Sequence, residues 1–309
     1  MYNSMKSQWH MKSPAQRWAI GVLSAFIWMM VFWYTFGGEA QTPMAQDLAQ
    51  CYEMMGSGDK LSGDSISQSL EIARKFHAKQ RDERKEALSK AIHKFTTVKP
   101  RDVLLYLVPE VACLGRVRVG STGDGGKWMC SPWRAPENCV VYSLGSRDDI
   151  TFEKDINELT GKRCSILTAD MNEPQQRTRS AMREQGIKFV KGKITASTDE
   201  GSAEYSIDHL MTTNGHEKID ILKIDIEGSE FSVLPEFMKK HKVCQLLIEI
   251  HDMQRVAWLL REIANNGYLL INYEINAIVL KNGMSEYAFI HSSCLSTYET
   301  HYLSGFIHS

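Results

Sequence analysis

The sequence predicts a doubly wound α/β domain with a mostly parallel sheet, carried behind an apolar N-terminal segment and a partly helical stem. Three observations predict it. From residue 139 onward, short β-rich apolar runs alternate with helical patterns, the order in which strands are joined by crossover helices. Seven such runs follow one another, at 140–144, 164–169, 188–190, 219–224, 243–250, 268–273 and 287–291, enough for one sheet. Ahead of them, residues 18–38 contain no charged side chain at all.

The helices between the runs have ordinary stop signals. Val256, Leu259, Leu260 and Ile263 make an apolar stripe at helical spacing, closed by Asn266-Gly267. Another helix is expected over 231–240, after the Gly228 turn. The chain shows no internal repeat.

The core of the N-terminal segment, 19–36, is 18 residues, about 27 Å at about 1.5 Å per residue, which suffices to cross a bilayer. Lys6, Lys12 and Arg17 precede it without an acid, whereas Glu39 and Asp47 follow it. The positive-inside rule then places the N-terminus in the cytosol and the globular part in a lumen, as in a single-pass type II membrane protein of the Golgi or endoplasmic reticulum. Small residues around Gly38-Glu39-Ala40 allow the alternative of a cleaved signal and secretion. The length of the run and the belt-like Trp28, Trp33 and Tyr34 favour a retained anchor. The expected plan is a tail at 1–17, an anchor at 18–38, a stem at 39–102 and the main domain at 103–309. Within the stem, Ile66, Leu70, Ala73, Leu88, Ile92 and Phe95 predict one or two helices, and Pro100 punctuates the chain.

Composition narrows the partners. A net charge of -1 exerts no global pull on a polyanion, which argues against nucleic acid. The seven cysteines show neither a C-x-x-C pair nor zinc-ligand spacing, so no structural metal is expected. Cys113, Cys130 and Cys139 can form a disulfide in an oxidising compartment. Cys164 and Cys244 lie in apolar strand-like runs and read as buried small hydrophobes.

Ligands of open α/β sheets sit at the carboxyl ends of the strands, where strand order reverses. At the first such end, VVYSLGSRDD, Gly145 and Ser146 form a tight turn that lets backbone approach a ligand. This is not a G-x-G-x-x-G cradle, so a smaller demand than a pyrophosphate is implied. The second end carries Asp170 and Met171, 25 residues after Gly145, where a carboxylate can accept from both hydroxyls of a ribose. Asp170 can equally serve as a helix cap. The fourth run, IDILKIDIEGSE, places Lys223 inside an apolar strand, where it needs a partner. Asp225 and Glu227 follow at its exit, with carboxylates able to project together into the crevice. His251, at the fifth exit beside Asp252, is the best-placed base, or else a half-buried helix cap. Asp225, Glu227 and His251 together offer a further arrangement, a divalent-metal site. No metal is assigned, because no Asp/Asp/Asn set is visible at these strand ends.

The strings LKIDIEGSE, YSIDHLM at 205–211, QLLIEIHD at 245–252, DGGKWMC at 124–130 and VVYSLGS at 140–146 together resemble the FkbM-type methyltransferases, in particular their animal branch with an N-terminal signal anchor. The likeness covers roughly residues 113–291. It implies a Rossmann-like seven-stranded methyltransferase domain that binds S-adenosylmethionine and methylates a hydroxyl, on a glycan or another secretory-pathway acceptor. It also implies that Gly145 and Ser146 lie under the cofactor, Asp170 on its ribose, and Asp225 with Glu227 at the fourth strand; Met171 and Asp225 are taken as further cofactor contacts, and His251, Asp225 and Glu227 as the catalytic set. The first strand departs from the pattern, with Tyr142-Ser143 where many methyltransferases carry an acid. Two other readings stay open: a catalytically silent binding module that keeps the fold, and a lumenal glycosyltransferase.

Overall fold

The computed structural model describes residues 63–93, 98–276 and 284–308. The expected anchor at 18–38, the tail before it and Cys51 lie outside the described residues. Among the described residues no helix is long and apolar enough to cross a membrane.

In chain order, the elements are α1 (Gly63–His93), α2 (Pro100–Leu104), β1 (Val111–Cys113), β2 (Arg116–Val119), β3 (Lys127–Cys130), β4 (Val140–Leu144) and α3 (Thr151–Thr160). Then come β5 (Ser165–Asp170), α4 (Gln176–Glu184), β6 (Lys188–Lys191), β7 (Lys193–Ile194), β8 (Glu204–Tyr205), α5 (Ile207–Asn214) and β9 (Ile221–Ile224). The last are α6 (Glu230–Met238), β10 (Gln245–Ile250), α7 (Val256–Asn265), β11 (Tyr268–Ile275), β12 (Ser285–His291) and β13 (Thr300–Tyr302).

The seven runs read from the sequence are the seven strands of the main sheet, in spatial order β11-β12-β10-β9-β4-β5-β6. Neighbours pair in parallel except at β12, which runs antiparallel between β10 and β11. The central strands are apolar because both faces are covered. Every residue of β4, β9 and β10 is buried. Side chains alternate, so Val141, Ile221 and Leu247 join one apolar layer while Tyr142, Leu222 and Leu246 join the other. Helix α3 covers the first layer with Phe152 and Ile156, and α7 covers the second with Leu259, Leu260 and Ile263. Chain order reverses between β4 and β9, which are direct neighbours. A ligand crevice belongs there.

In its described part the expected stem holds α1 and the start of α2, and Leu88 and Ala91 near the C-terminal end of α1 enter the same apolar layer as Val103 and Leu107. The boundary expected at 103 therefore falls inside the packed unit, which runs Ser65–Ser309. Glu110 closes the other end of that unit. Its carboxylate accepts from the backbone N–H of Leu270, Phe306 and Ile307, tying β11 to the C-terminal segment.

Two cysteines expected as simple hydrophobes are disulfide-bonded: Cys139 pairs with Cys164, and Cys244 with Cys294. The third disulfide joins Cys113 to Cys130. Strand register explains the correction. Val140 lies opposite Ser165 in parallel strands, so the residues just before them, Cys139 and Cys164, face each other with Cα atoms 4.4 Å apart. That adjacency exists only once the sheet is assembled.

Candidate active site

All seven residues singled out above line one cavity of about 770 Å³ at the β4/β9 reversal: Gly145, Ser146, Asp170, Met171, Asp225, Glu227 and His251. On one side lie the exits of β4 and β5. Gly145 has φ +82, and a Cβ there would land on the Asp225 carbonyl oxygen, so only glycine allows the two strand exits to close together. The Asp225 N–H donates to the Leu144 carbonyl (2.9 Å) and Gly145 N–H to the Ala169 carbonyl (2.8 Å), which locks three strand ends into one turn. Ser146 is buried and accepts from the Thr168 hydroxyl (2.6 Å).

Asp170 is buried at the exit of β5. Its Oδ2 accepts from Arg147 N–H (2.6 Å) and its Oδ1 from Asn172 N–H (2.7 Å). Each carboxylate oxygen has two lone pairs. One on each remains for a pair of hydroxyls, so the loop bonds fix the group without consuming it. Met171 beside it is 54% exposed and offers the cavity an apolar face.

Lys223 is buried in β9 with its amine 5.8 Å from the Phe152 ring, and it acts on the buried carboxyl of Glu153 on α3 through charge. Burial pushes the Glu153 carboxyl up, against the opposing pull of Lys223. Ser143 stands opposite Lys223 in register, so the polar set that replaces the missing strand acid is shared between a strand and a helix.

On the other side of the cavity lie the exits of β9 and β10 and the start of the antiparallel β12. His251 Nδ1 meets Glu230 Oε1 at 2.9 Å, and the same oxygen accepts from the N–H groups of Ile226 and Gly228. His251 Nε2 lies 3.5 Å from Asp225 Oδ1 and 3.6 Å from Glu227 Oε2. Asp225 and Glu227 therefore do converge, although by different routes. Asp225 is partly buried behind the strand, whereas Glu227 is 79% exposed in a left-handed turn with φ +52. Burial pushes the His251 imidazole down, but the Glu230 hydrogen bond and the charges of Glu230, Asp225 and Glu249 outweigh it and hold its pKa up, to about 9. The helix that follows, α7, has Arg255 at its N-cap without a side-chain cap, so neither His251 nor Asp252 caps it; Asp252 Oδ1 accepts from Gln254 N–H in the turn before it.

Three further acids escaped sequence reasoning. Glu249 is buried in β10, and burial with the Glu286 and Asp225 charges pushes it up to about 8. Glu286 stands directly opposite on β12, paired with the buried amine of Lys127 at 2.7 Å. Glu230 is fully buried behind His251. The available signal was an acid inside an apolar strand, QLLIEI, which carries the same anomaly as Lys223.

A family model described as a methyltransferase domain matches residues 72–291. The chain belongs to this methyltransferase family. The match spans the sheet from β1 to β12 and every residue of the cavity. The methyltransferase uses S-adenosylmethionine, and the residues fit that cofactor: a close-packed glycine turn at β4 and an Asp170 with free lone pairs at β5. Its fold is similar to solved structures at low identity. Precorrin-6y C5,15-methyltransferase from Geobacter metallireducens GS-15 is 10% identical with a TM-score of 0.35, covering 52% of this chain and 84% of that one. The Methanococcus jannaschii fibrillarin pre-rRNA processing protein is 12% identical with a TM-score of 0.35, covering 60% and 95%. The 1,6-didemethyltoxoflavin-N1-methyltransferase of Burkholderia thailandensis, solved with S-adenosylhomocysteine, is 11% identical with a TM-score of 0.31, covering 55% and 72%. No relative matches among curated proteins. The methyltransferase assignment rests on the family match.

Proposed function

We propose that this methyltransferase is of the FkbM type and methylates a hydroxyl of a secretory-pathway acceptor, a glycan foremost, while held at a Golgi or endoplasmic reticulum membrane by residues 18–38. The observation that carries the reading is the two-sided cavity: a ribose-type acid and glycine turn on one side, a carboxylate–histidine cluster on the other. The strings LKIDIEGSE and QLLIEIHD, which resemble the FkbM type, supply that second side. Compartment is supported separately. Three disulfides tie together six cysteines, a usage that belongs to oxidising compartments and not to the cytosol.

When bound, S-adenosylmethionine supplies a methyl group on a positively charged sulfur, and transfer to oxygen leaves the bonding pair on sulfur and frees the hydroxyl proton. Gly145, Ser146, Asp170 and Met171 hold the cofactor. Asp225, Glu227 and His251 face the acceptor. With its pKa near 9, His251 already carries its proton at neutral pH, so it positions the neighbouring carboxylates and one of these takes the hydroxyl proton.

Ligand linkage tests the reading. S-adenosylmethionine and S-adenosylhomocysteine should raise the melting temperature, and nucleotide sugars should not; the reverse pattern would overturn it. Labelled methyl transfer should then appear on glycans in preference to lipids or proteins. Protease protection of the domain in sealed microsomes tests the lumenal placement.

A further inference from the structure

The exits of β9 and β10 bring one oxygen of Asp225, one of Glu249 and a ring nitrogen of His251 within 4.8 Å of one another. Resting on the methyl-transfer reading of this cavity, we propose that the three bind a divalent cation of the manganese or magnesium kind. Its open positions take two neighbouring oxygens of a vicinal diol, as sugars present them. Three features of the chain carry this.

The first is orientation. Glu230 Oε1 already accepts two backbone N–H groups, so the short contact to His251 Nδ1 is one that the ring donates. Nε2 is thereby turned to the cavity, where a bound ion would replace the proton it carries in the ion-free protein. A buried carboxylate behind the distal nitrogen is the usual support of a metal-ligating histidine.

The second is spacing. Nε2 stands 3.5 Å from Asp225 Oδ1, too far for a good hydrogen bond. It is close to the separation of two donors that each lie about 2.1 Å from one ion.

The third is charge. Glu249 and Glu286 oppose each other across β10 and β12, with Asp225 beside them. Lys127, the amine whose charge acts on Glu249, is itself engaged with Glu286. Two carboxyls opposed in a buried sheet resist ionising together, and this pair meets the cost by hydrogen-bonding to each other. The Oε2 of Glu230, fully buried, has no hydrogen-bond partner among the described residues. A divalent cation offsets that accumulated negative charge, and one nitrogen with two carboxylate oxygens is a donor set suited to manganese or magnesium.

Glu227 has its carboxylate 3.6 Å from Nε2 but lies outside the three-residue set. It remains free to accept the proton that an ion-bound hydroxyl gives up.

The test uses the full-length chain purified in detergent, free of cofactor, and titrated with manganese chloride. The free-manganese electron paramagnetic resonance signal should fall with a stoichiometry of one per chain. Glu249→Gln and His251→Gln should each weaken that binding more than tenfold, while S-adenosylhomocysteine affinity by calorimetry changes less than twofold. Retained cofactor binding shows that each variant is folded. No manganese uptake, or uptake indifferent to both substitutions, overturns the proposal. Stabilisation by a simple primary amine without manganese uptake overturns it too, because the cation would then be an acceptor amine. Manganese uptake without any cofactor binding sustains the ion site and instead breaks the methyl-transfer reading.

Discussion

The exits of β4 and β5, and the exits of β9 and β10 with the start of β12, face one cavity, and their polar groups are settled in opposite ways. On the first side local donors do the work: Asp170 is fixed by two backbone N–H groups and Ser146 by the Thr168 hydroxyl. On the second side carboxylates accumulate around one histidine, and two acids oppose each other across paired strands. A site that satisfies itself is preorganised for a ligand of fixed shape. A site that does not is completed by what it binds.

The most damaging way to break this division is to force the two sides apart. In Gly145→Ala the new Cβ collides with the Asp225 carbonyl, a backbone atom that cannot step aside, at a φ that L residues avoid. We expect a loss of about 3 kcal/mol or more of stability and no measurable S-adenosylhomocysteine binding, read by thermal melts and calorimetry. A variant that melts like the parent would show that the two exits are not rigidly joined.

Asp170→Ala should act on the first side alone. It strands two amide donors, at about 1–3 kcal/mol each if they stay dry, and removes the ribose contact, for roughly a tenfold to hundredfold loss of cofactor affinity. Manganese uptake should persist. Unchanged cofactor affinity would sink the ribose role.

Legibility follows the same line. Gly145, Ser146 and Asp170 announce themselves because each acts at one strand end within a short stretch of sequence. All seven main strands were legible too, the buried parallel ones as local apolar runs and the others as short β-rich runs between turn and helix signals. Glu249 beside Glu286, and Cys139 beside Cys164, were not legible, because only register puts residues so far apart in sequence next to each other. The single acid in QLLIEI was visible, but its neighbours were not.

The second side should betray its strain through pH. Glu249 is raised to about 8 by burial and by Glu286 and Asp225, and His251 to about 9 by Glu230, Asp225 and Glu249 against burial. Glu227, close to Nε2, adds to the same field. Both folded pKa values exceed the unfolded ones, so the folded state holds these protons more tightly. The stability they contribute is fully present below about 4.5 for Glu249 and about 6.5 for His251. It is lost as pH rises through about 8 and about 9. The ion-free protein should therefore melt progressively lower from about pH 5 to pH 9. Glu249→Gln should flatten the slope and manganese should reverse it; a flat profile in the parent would mean the acids are compensated after all.

The smallest expected effect is the most discriminating. Glu227 holds φ +52, a left-handed conformation that costs a side-chain-bearing residue about 1 kcal/mol. Its exposed carboxylate makes no hydrogen bond shown in the structure that would repay this. Glycine takes the same φ freely, so Glu227→Gly should stabilise the domain by about 0.5–1 kcal/mol. If the glutamate is there to receive the acceptor's proton, the same change should cut methyl transfer while leaving manganese and cofactor binding intact. A turn kept only for its shape would gain the stability and keep the activity. Strain retained at the price of stability, and lost together with turnover, is what separates a chemical role for Glu227 from a structural one.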